Sequence, residues 1–191
     1  MRLYLVDDDE AIRDSLTYML DQCGRQLTSF ASAEAFLAQA DITQPGCLIL
    51  DSRMPGLSGE ALQHELVDQQ SPLGIIFLTG HGDLPMALAA FREGACDFFQ
   101  KPVQAAPLCD AIDKAEAESQ RRYEVAGLRL KLARLSEREA QVLRLLTDGL
   151  TNKQISETLY LSLRTIEVHR ASMMKKLGVH NLAELGRFAC R

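Results

Sequence analysis

The chain has 191 residues, 47% hydrophobic and 25% charged, with a formal net charge of -5. That length fits one large domain or two small ones, and the composition is ordinary for a soluble protein. No apolar run approaches the ~18 residues of a membrane span, and Asp7-Asp8-Asp9 comes too early for a secretory signal. The five cysteines (Cys23, Cys47, Cys96, Cys109, Cys190) form no C-x-x-C pair and are expected to be reduced thiols in a cytosolic protein. The net charge hides an asymmetry. Residues 1–120 carry 7 Lys/Arg against 19 Asp/Glu, and residues 121–191 carry 14 against 7. An acidic first part and a basic second part point to two domains with different partners, nucleic acid being suited to the second.

In chain order, Leu3–Val6 is a short apolar strand closed by Asp7-Asp8-Asp9. Ala11, Ile12, Leu16, Met19 and Leu20 recur at helical spacing, and Gly24 ends that helix. A modest strand at Gln26–Phe30 precedes a helix opened by Ser32 with Glu34. Leu48-Ile49-Leu50-Asp51 reads as a strand buried on both faces, with the aspartate at its carboxyl end. A helix from Ser58 should turn Leu62, Leu66 and Val67 to one face. Ile75–Thr79 is the next strand, ended by Gly80 and Gly82; Asp83 can cap a helix holding Met86, Leu88, Ala89 and Phe91. Cys96–Phe99 gives a fifth strand before Lys101-Pro102. Strands alternating with helices predict a doubly wound α/β domain with a five-stranded parallel sheet. Its carboxyl edge would gather Asp7, Asp8, Asp51, Thr79 and Lys101.

Three carboxylates at one edge repel one another unless a cation is present, and a hard divalent ion such as Mg²⁺ resolves the conflict. A carboxylate can accept a phosphoryl group, which Thr79 and Lys101 could then contact. The plain alternative for Asp7-Asp8-Asp9 is capping of the following helix. His81 sits beside the edge and reads better as a loop residue than as a base.

From Gln104 a helix with Leu108, Ile112 and Ala115 on its apolar face can run on through Leu128, Leu130 and Leu132. Gly127 is its weak point, at about 1 kcal/mol against alanine. Such a helix either links and helps pair the domains or is a solvated connector. Beyond it, Ser136-x-x-Glu139, Thr151-x-x-Gln154 and Asn181-x-x-Glu184 have capping-box spacing, and Ser162 can cap a further helix. Val142, Leu145, Leu146, Ile155, Leu159, Ile166, Val168, Met173, Leu177, Leu182, Leu185 and Phe188 can share a small core. Two helices joined by Tyr160-Leu161-Ser162 make a helix-turn-helix. The helix near 162–177 carries Arg164, Arg170, Lys175 and Lys176, whose charges suit phosphates beside a major groove.

Val6-Asp7-Asp8-Asp9-Glu10, Leu50-Asp51-x-x-Met54-Pro55-Gly56, Leu78-Thr79-Gly80 and Lys101-Pro102 together resemble the receiver domain of two-component response regulators, a CheY-like fold. Leu135-Ser136-x-Arg138-Glu139, Gly149-x-Thr151-Asn152-Lys153 and Thr165-Ile166-x-Val168-His169 resemble the LuxR-type helix-turn-helix domain. The run from Phe77 to Ala87, with Gly94-Ala95-x-Asp97-Phe98, is similar to the FixJ branch of the NarL/FixJ family, and within it to regulators of tetrathionate respiration. The resemblance implies a receiver at 1–118, a helical linker at 119–134 and an all-α DNA-binding domain at 135–191. It implies a cytoplasmic transcriptional regulator, not an enzyme, phosphorylated on Asp51 by a sensor histidine kinase and dimeric on promoter half-sites. Mg²⁺ would be held by Asp7, Asp8, Asp51 and the Arg53 backbone carbonyl. Thr79, Lys101 and Phe98 would be the switch and phosphate-contacting residues, although Phe98 lacks the hydroxyl many receivers carry there. The Lys101–Pro102 peptide is expected to be cis. Asn152, Lys153, Arg164, Thr165, Glu167, Val168, Arg170, Ala171 and Lys175 would meet DNA, the last helix near 181–190 would pair two copies, and His169 is expected to be structural. The alternative is a Mg²⁺-dependent phosphohydrolase using an aspartyl-phosphate, which needs a second acid where this chain has Arg53.

Overall fold

The computed structural model describes residues 1–80 and 84–188, with only the backbone of 84–86. His81, Gly82, Asp83 and Cys190, and the side chain of Met86, lie outside the described residues. The chain divides into two compact units, Met1–Tyr123 and Glu124–Arg191.

In the first unit, β1 (Arg2–Val6), β2 (Thr28–Phe30), β3 (Gly46–Asp51), β4 (Gly74–Thr79) and β5 (Asp97–Gln100) alternate with α1 (Glu10–Gln22), α2 (Ala33–Gln39), α3 (Gly59–Asp68), α4 (Leu84–Arg92) and α5 (Ala105–Leu132). The five strands form one parallel sheet in the order β2-β1-β3-β4-β5. All six residues of β3 are buried, as expected of a central parallel strand with helices on both faces. Alternation along it divides the core. Leu48 and Leu50 join Tyr4, Val6, Phe36, Leu62 and Phe77 on one face. Cys47 and Ile49 join Leu5, Leu20, Ile76, Leu108 and Ile112 on the other. The order reverses between β1 and β3, so the crevice at their carboxyl ends lies between Asp7 and Asp51.

Several local expectations change. β2 is three residues long, shorter than the predicted Gln26–Phe30. Val67 is 52% exposed: it follows Leu66 by one residue and so turns ~100° away from the buried stripe of Leu62 and Leu66. Helix α5 continues unbroken through Gly127.

The second unit contains the last turns of α5, then α6 (Glu137–Thr147), α7 (Asn152–Leu159), α8 (Leu163–Leu177) and a final 3₁₀ turn, Ala183–Phe188. Ser136 and Thr151 form reciprocal capping boxes with Glu139 and Gln154, and the Ser162 hydroxyl accepts from the Thr165 N–H. Tyr160, at φ 53°, makes the left-handed turn between α7 and α8. Gly178, at φ 68°, ends α8, a conformation that costs glycine nothing. The core holds Val142, Leu143, Ile155, Ile166, Met173, Leu177, Val179, Leu185 and Phe188. Val168 and Leu182, predicted within it, are 60% and 51% exposed. The predicted last helix near 181–190 is the 3₁₀ turn, its Asn181 and Glu184 closing it with mutual hydrogen bonds. Among the described residues, no helix is long and apolar enough to cross a membrane.

Candidate functional site

The acidic triplet after β1 divides into three roles. Asp9 caps α1, its carboxylate accepting from the N–H groups of Ala11 and Ile12 at 2.9 and 3.4 Å. Asp7 is fully buried, and its Oδ1 accepts from the Asp9 N–H at 3.0 Å. Asp8 is exposed. Capping therefore explains the third aspartate and leaves the first two to other chemistry.

Lys101, delivered by the loop after β5, ties the edge together. Its Nζ lies 2.6 Å from Asp7 Oδ2 and 2.7 Å from Asp51 Oδ2. Asp51 Oδ1 accepts from the Arg53 N–H at 3.2 Å. Burial pushes the Asp7 carboxyl above its ordinary range against the opposing pull of Lys101. Burial disfavours the Lys101 charge, but the hydrogen bonds to Asp51 and Asp7 win and hold its pKa above the usual value. One ammonium between two carboxylates, with Asp8 at hand, leaves surplus negative charge. Ligand oxygens of Asp7, Asp8 and Asp51 all lie within 4.8 Å of one another. A set of hard oxygen donors this close fits a divalent cation such as Mg²⁺.

Beside the carboxylates is a cavity of about 340 Å³, lined by Asp8, Asp9, Ile12, Asp51, Arg53, Thr79, Gly80 and Lys101. The Thr79 hydroxyl accepts from Ser52 Oγ at 2.8 Å, and the Thr79 carbonyl accepts from the Lys101 N–H at 2.8 Å. The Lys101–Pro102 peptide is cis, as expected. The Arg53 side chain is exposed at the rim. Phe98 is not part of the cavity wall; its half-buried ring leans on Phe77 with centroids 6.4 Å apart. The sequence reading missed Ser52. A polar residue directly after a strand-end aspartate was its only signal.

Gly59 fixes the loop that follows Asp51. Its N–H donates to the Ser52 carbonyl at 3.1 Å. A Cβ there would stand 2.1 Å from the Asp51 carbonyl oxygen and 2.9 Å from Ser52 Cα, so only glycine allows α3 to start this close to the strand end.

In the second unit, α7 and α8 present a second surface. Lys153, Arg164, Glu167, Val168, Ala171 and Lys175 are exposed, and Asn152, Thr165, His169 and Arg170 are half-buried. Arg170 Nη1 donates to Asn152 Oδ1 at 3.2 Å. Asn152, Glu167, Arg170, Ala171 and Met174 line a hollow of about 240 Å³. Lys176, read as one of the phosphate-facing cations of α8, is exposed but already paired: its Nζ lies 2.6 Å from Oε2 of the buried Glu139. Glu139 Oε1 accepts from the Ser172 hydroxyl at 2.6 Å, and Oε2 from the Ser136 N–H at 2.7 Å. Burial acts to raise the Glu139 carboxyl, but Lys176, Ser172 and Ser136 overcome it and hold the pKa at about 2. The capping-box spacing revealed half of this residue's task; its grip on α8 is visible only in the folded unit.

The family "Response regulator receiver domain" matches residues 3–113, and "Bacterial regulatory proteins, luxR family" matches residues 133–189. The transcriptional regulatory protein FixJ of Bradyrhizobium diazoefficiens is 42% identical over 99% of this chain and 94% of its own length. The tetrathionate response regulatory protein TtrR of Salmonella typhimurium is 37% identical over 97% of this chain and 90% of its own. The likeness is thus to the branch as a whole. Among solved structures, full-length FixJ from B. japonicum is 41% identical with a TM-score of 0.60, covering 98% of this chain and 95% of that one. The response regulator StyR is 38% identical with a TM-score of 0.72, covering 97% and 96%. These relatives are transcriptional regulators and not enzymes, which sets the phosphohydrolase alternative aside. The chain belongs to the NarL/FixJ family of two-component response regulators: a phosphorylation-controlled transcriptional regulator joining a receiver domain to a LuxR-type DNA-binding domain.

Proposed function

We propose that Asp51 is the phosphoacceptor and that a sensor histidine kinase is the donor. A carboxylate oxygen of Asp51 attacks phosphorus, the P–N bond of the kinase phosphohistidine breaks, and the histidine nitrogen leaves with the electron pair. The observation that carries this reading is the Lys101 ammonium held between Asp7 and Asp51 at 2.6 and 2.7 Å, where it can follow the phosphoryl charge as it arrives. Asp7, Asp8, Asp51 and the Arg53 carbonyl are the residues that would hold Mg²⁺, whose positive charge would neutralise phosphoryl oxygens. Thr79 would exchange its Ser52 contact for a phosphoryl oxygen, drawing its loop inward. The Phe98 ring would then leave Phe77 for the space behind that loop. Phosphate favours one of two states, and the shift in population is the signal.

The output we infer is homodimer formation and binding to paired DNA half-sites in the cytoplasm. Lys153, Arg164, Thr165, Arg170 and Lys175 would meet phosphates, with Asn152 oriented by Arg170. Glu167, Val168 and Ala171 would face base edges. The test is labelling of the intact protein by radiolabelled acetyl phosphate with Mg²⁺. Label should appear at Asp51 and vanish in Asp51→Asn. Equal labelling of that variant, or label mapped to Asp8, overturns the assignment.

A further inference from the structure

Asp51 and Leu78 form the last rung between β3 and β4, so the residues after them, Ser52 and Thr79, stand side by side. Alternation puts both on the face of Leu50 and Phe77, where Phe98 also packs. Ser52 Oγ donates to Thr79 Oγ1 at 2.8 Å, the usual length between two hydroxyls. Both residues are 1% exposed. Thr79 lines the cavity beside Asp51, and Ser52 is not among its lining residues. Ser52 therefore meets that cavity only through Thr79. Its own backbone is fixed. The Ser52 carbonyl accepts from the Gly59 N–H at 3.1 Å, and Ser52 Cα would stand 2.9 Å from a Cβ on Gly59.

We propose that Ser52 is a positioning residue that brakes the switch: its hydroxyl holds Thr79 in the resting orientation and lowers the affinity of the Asp51 site for a phosphoryl group. The inference rests on the reading of Asp51 as phosphoacceptor and of Thr79 as a phosphoryl contact. To turn to a phosphoryl oxygen, the Thr79 hydroxyl must give up the Ser52 bond. The loss is two-sided. The bond is broken, and the Ser52 donor is left in a site closed to water, where an unpaired hydroxyl is costly. Both costs fall on the phosphate-bound state alone. The resting state is favoured by that amount, and the apparent affinity for the ligand drops with the fraction of protein ready to bind it. For one neutral hydrogen bond the drop is roughly two- to tenfold.

Ser52→Ala removes this donor. It weakens the resting state, where the bond exists, and relieves the phosphate-bound state, where the hydroxyl would be stranded. The variant should be less stable without ligand and yet bind a phosphate mimic more tightly. A hydroxyl that served packing alone would lower stability and leave binding no tighter. Ser52→Cys fills nearly the same space with a weak donor. It should behave as Ser52→Ala does, which separates the hydrogen bond from the small cavity that alanine leaves.

The experiment titrates the intact protein with beryllofluoride at saturating Mg²⁺, reads the bound fraction by fluorine NMR, and records melting without the mimic. In Ser52→Ala and Ser52→Cys, half-saturation should fall to mimic concentrations roughly two- to tenfold lower, while the ligand-free melting temperature of the receiver unit also falls. In a Thr79→Ala background, adding Ser52→Ala should leave half-saturation where it is, because the pair is already gone. Half-saturation unchanged or raised in both Ser52 variants overturns the proposal. So does an equal gain in the Thr79→Ala background. Asp51→Asn tells the two levels apart. If it abolishes binding while the Ser52 variants match wild type, the brake alone is refuted. Binding that survives Asp51→Asn refutes the phosphoacceptor reading beneath it, and the brake with it.

Discussion

Replacing Glu139 by glutamine keeps the shape of the side chain and removes its charge. In the folded unit that charge sits at 3% exposure and receives Lys176, Ser172 and the Ser136 N–H, each at 2.6 or 2.7 Å. A carboxyl held at about 2 against an ordinary 4.5 corresponds to about 3 kcal/mol, because each tenfold change in proton affinity is worth ~1.4 kcal/mol. Lys176 is partly open to water, its side chain 38% exposed, and screening reduces its share. We therefore expect Glu139→Gln to destabilise the C-terminal unit by about 2–3 kcal/mol, the low end of the range for breaking a buried ion pair. The assay is urea unfolding of the intact protein, followed by amide exchange in peptides from α6 and α8. The midpoint of those peptides should fall by roughly 2 M for a unit of this size. The pH dependence has a definite sign. A depressed carboxyl contributes fully above its ordinary pKa, so the gap between wild type and variant should be constant near neutrality. It should then close as pH falls from about 4.5 toward about 2. A variant within 0.5 kcal/mol of wild type at pH 7, on the order of an ordinary surface substitution, would refute the reasoning, as would a gap that does not change with acid.

Three further outcomes are expected. Burial raises the Asp7 carboxyl, so its ionised form opposes folding at neutral pH. Asp7→Asn should therefore raise the metal-free melting temperature of the receiver unit and lose most stabilisation by Mg²⁺, about 2.7 kcal/mol for wild type at 100 times the Kd. The metal-free advantage should shrink as acid protonates Asp7 in the wild type, and equal Mg²⁺ stabilisation of both proteins would contradict the assigned ligand. Gly59→Ala forces a Cβ onto the Asp51 carbonyl; about 1–3 kcal/mol should be lost and acetyl phosphate labelling should slow, unchanged labelling being the adverse result. On duplex DNA of arbitrary sequence, Lys153→Ala, Arg164→Ala and Lys175→Ala should each lower the salt slope of binding by about one. Lys176→Ala should leave the slope alone and lower stability, because Lys176 is bound to Glu139.

The readability of this fold from sequence depended on how local each signal was. The Leu48–Asp51 strand is buried on both faces, so its apolar run ends at the residue that chemistry needs, and little context is required to find it. The capping boxes at Ser136 and Thr151 close within four residues and were equally plain. Val168 was read both as core and as base-facing. It follows Ile166 by two residues, which on a helix turns it ~200° from the stripe of Ile166, Met173 and Leu177, and it is exposed. Lys176 read as one more basic residue because its partner Glu139 is 37 positions away. The Ser52–Thr79 hydrogen bond joins two strand ends 27 positions apart, beyond the reach of any periodicity. The last helix was misjudged because the Asn181–Glu184 bonds close one turn, while Gly186, two residues on, favours no continuation.

Helix α5 serves two hydrophobic cores. Leu108, Ala111, Ile112 and Ala115 are buried in the receiver, while Leu128 and Leu132 pack against the core of the DNA-binding unit. The cut between the units falls inside this helix, after Tyr123. The segment that looks like a spacer is therefore a structural part of the effector, and the two modules cannot be traded at the start of α6. A chimera that joins another receiver at residue 135 would strip Leu128 and Leu132 from the effector and leave apolar surface open. One joined near residue 124 would bring the whole core of the effector with it. For a lineage that recombines receivers and effectors, a crossover that keeps the effector core whole lies within the helix, ahead of Leu128.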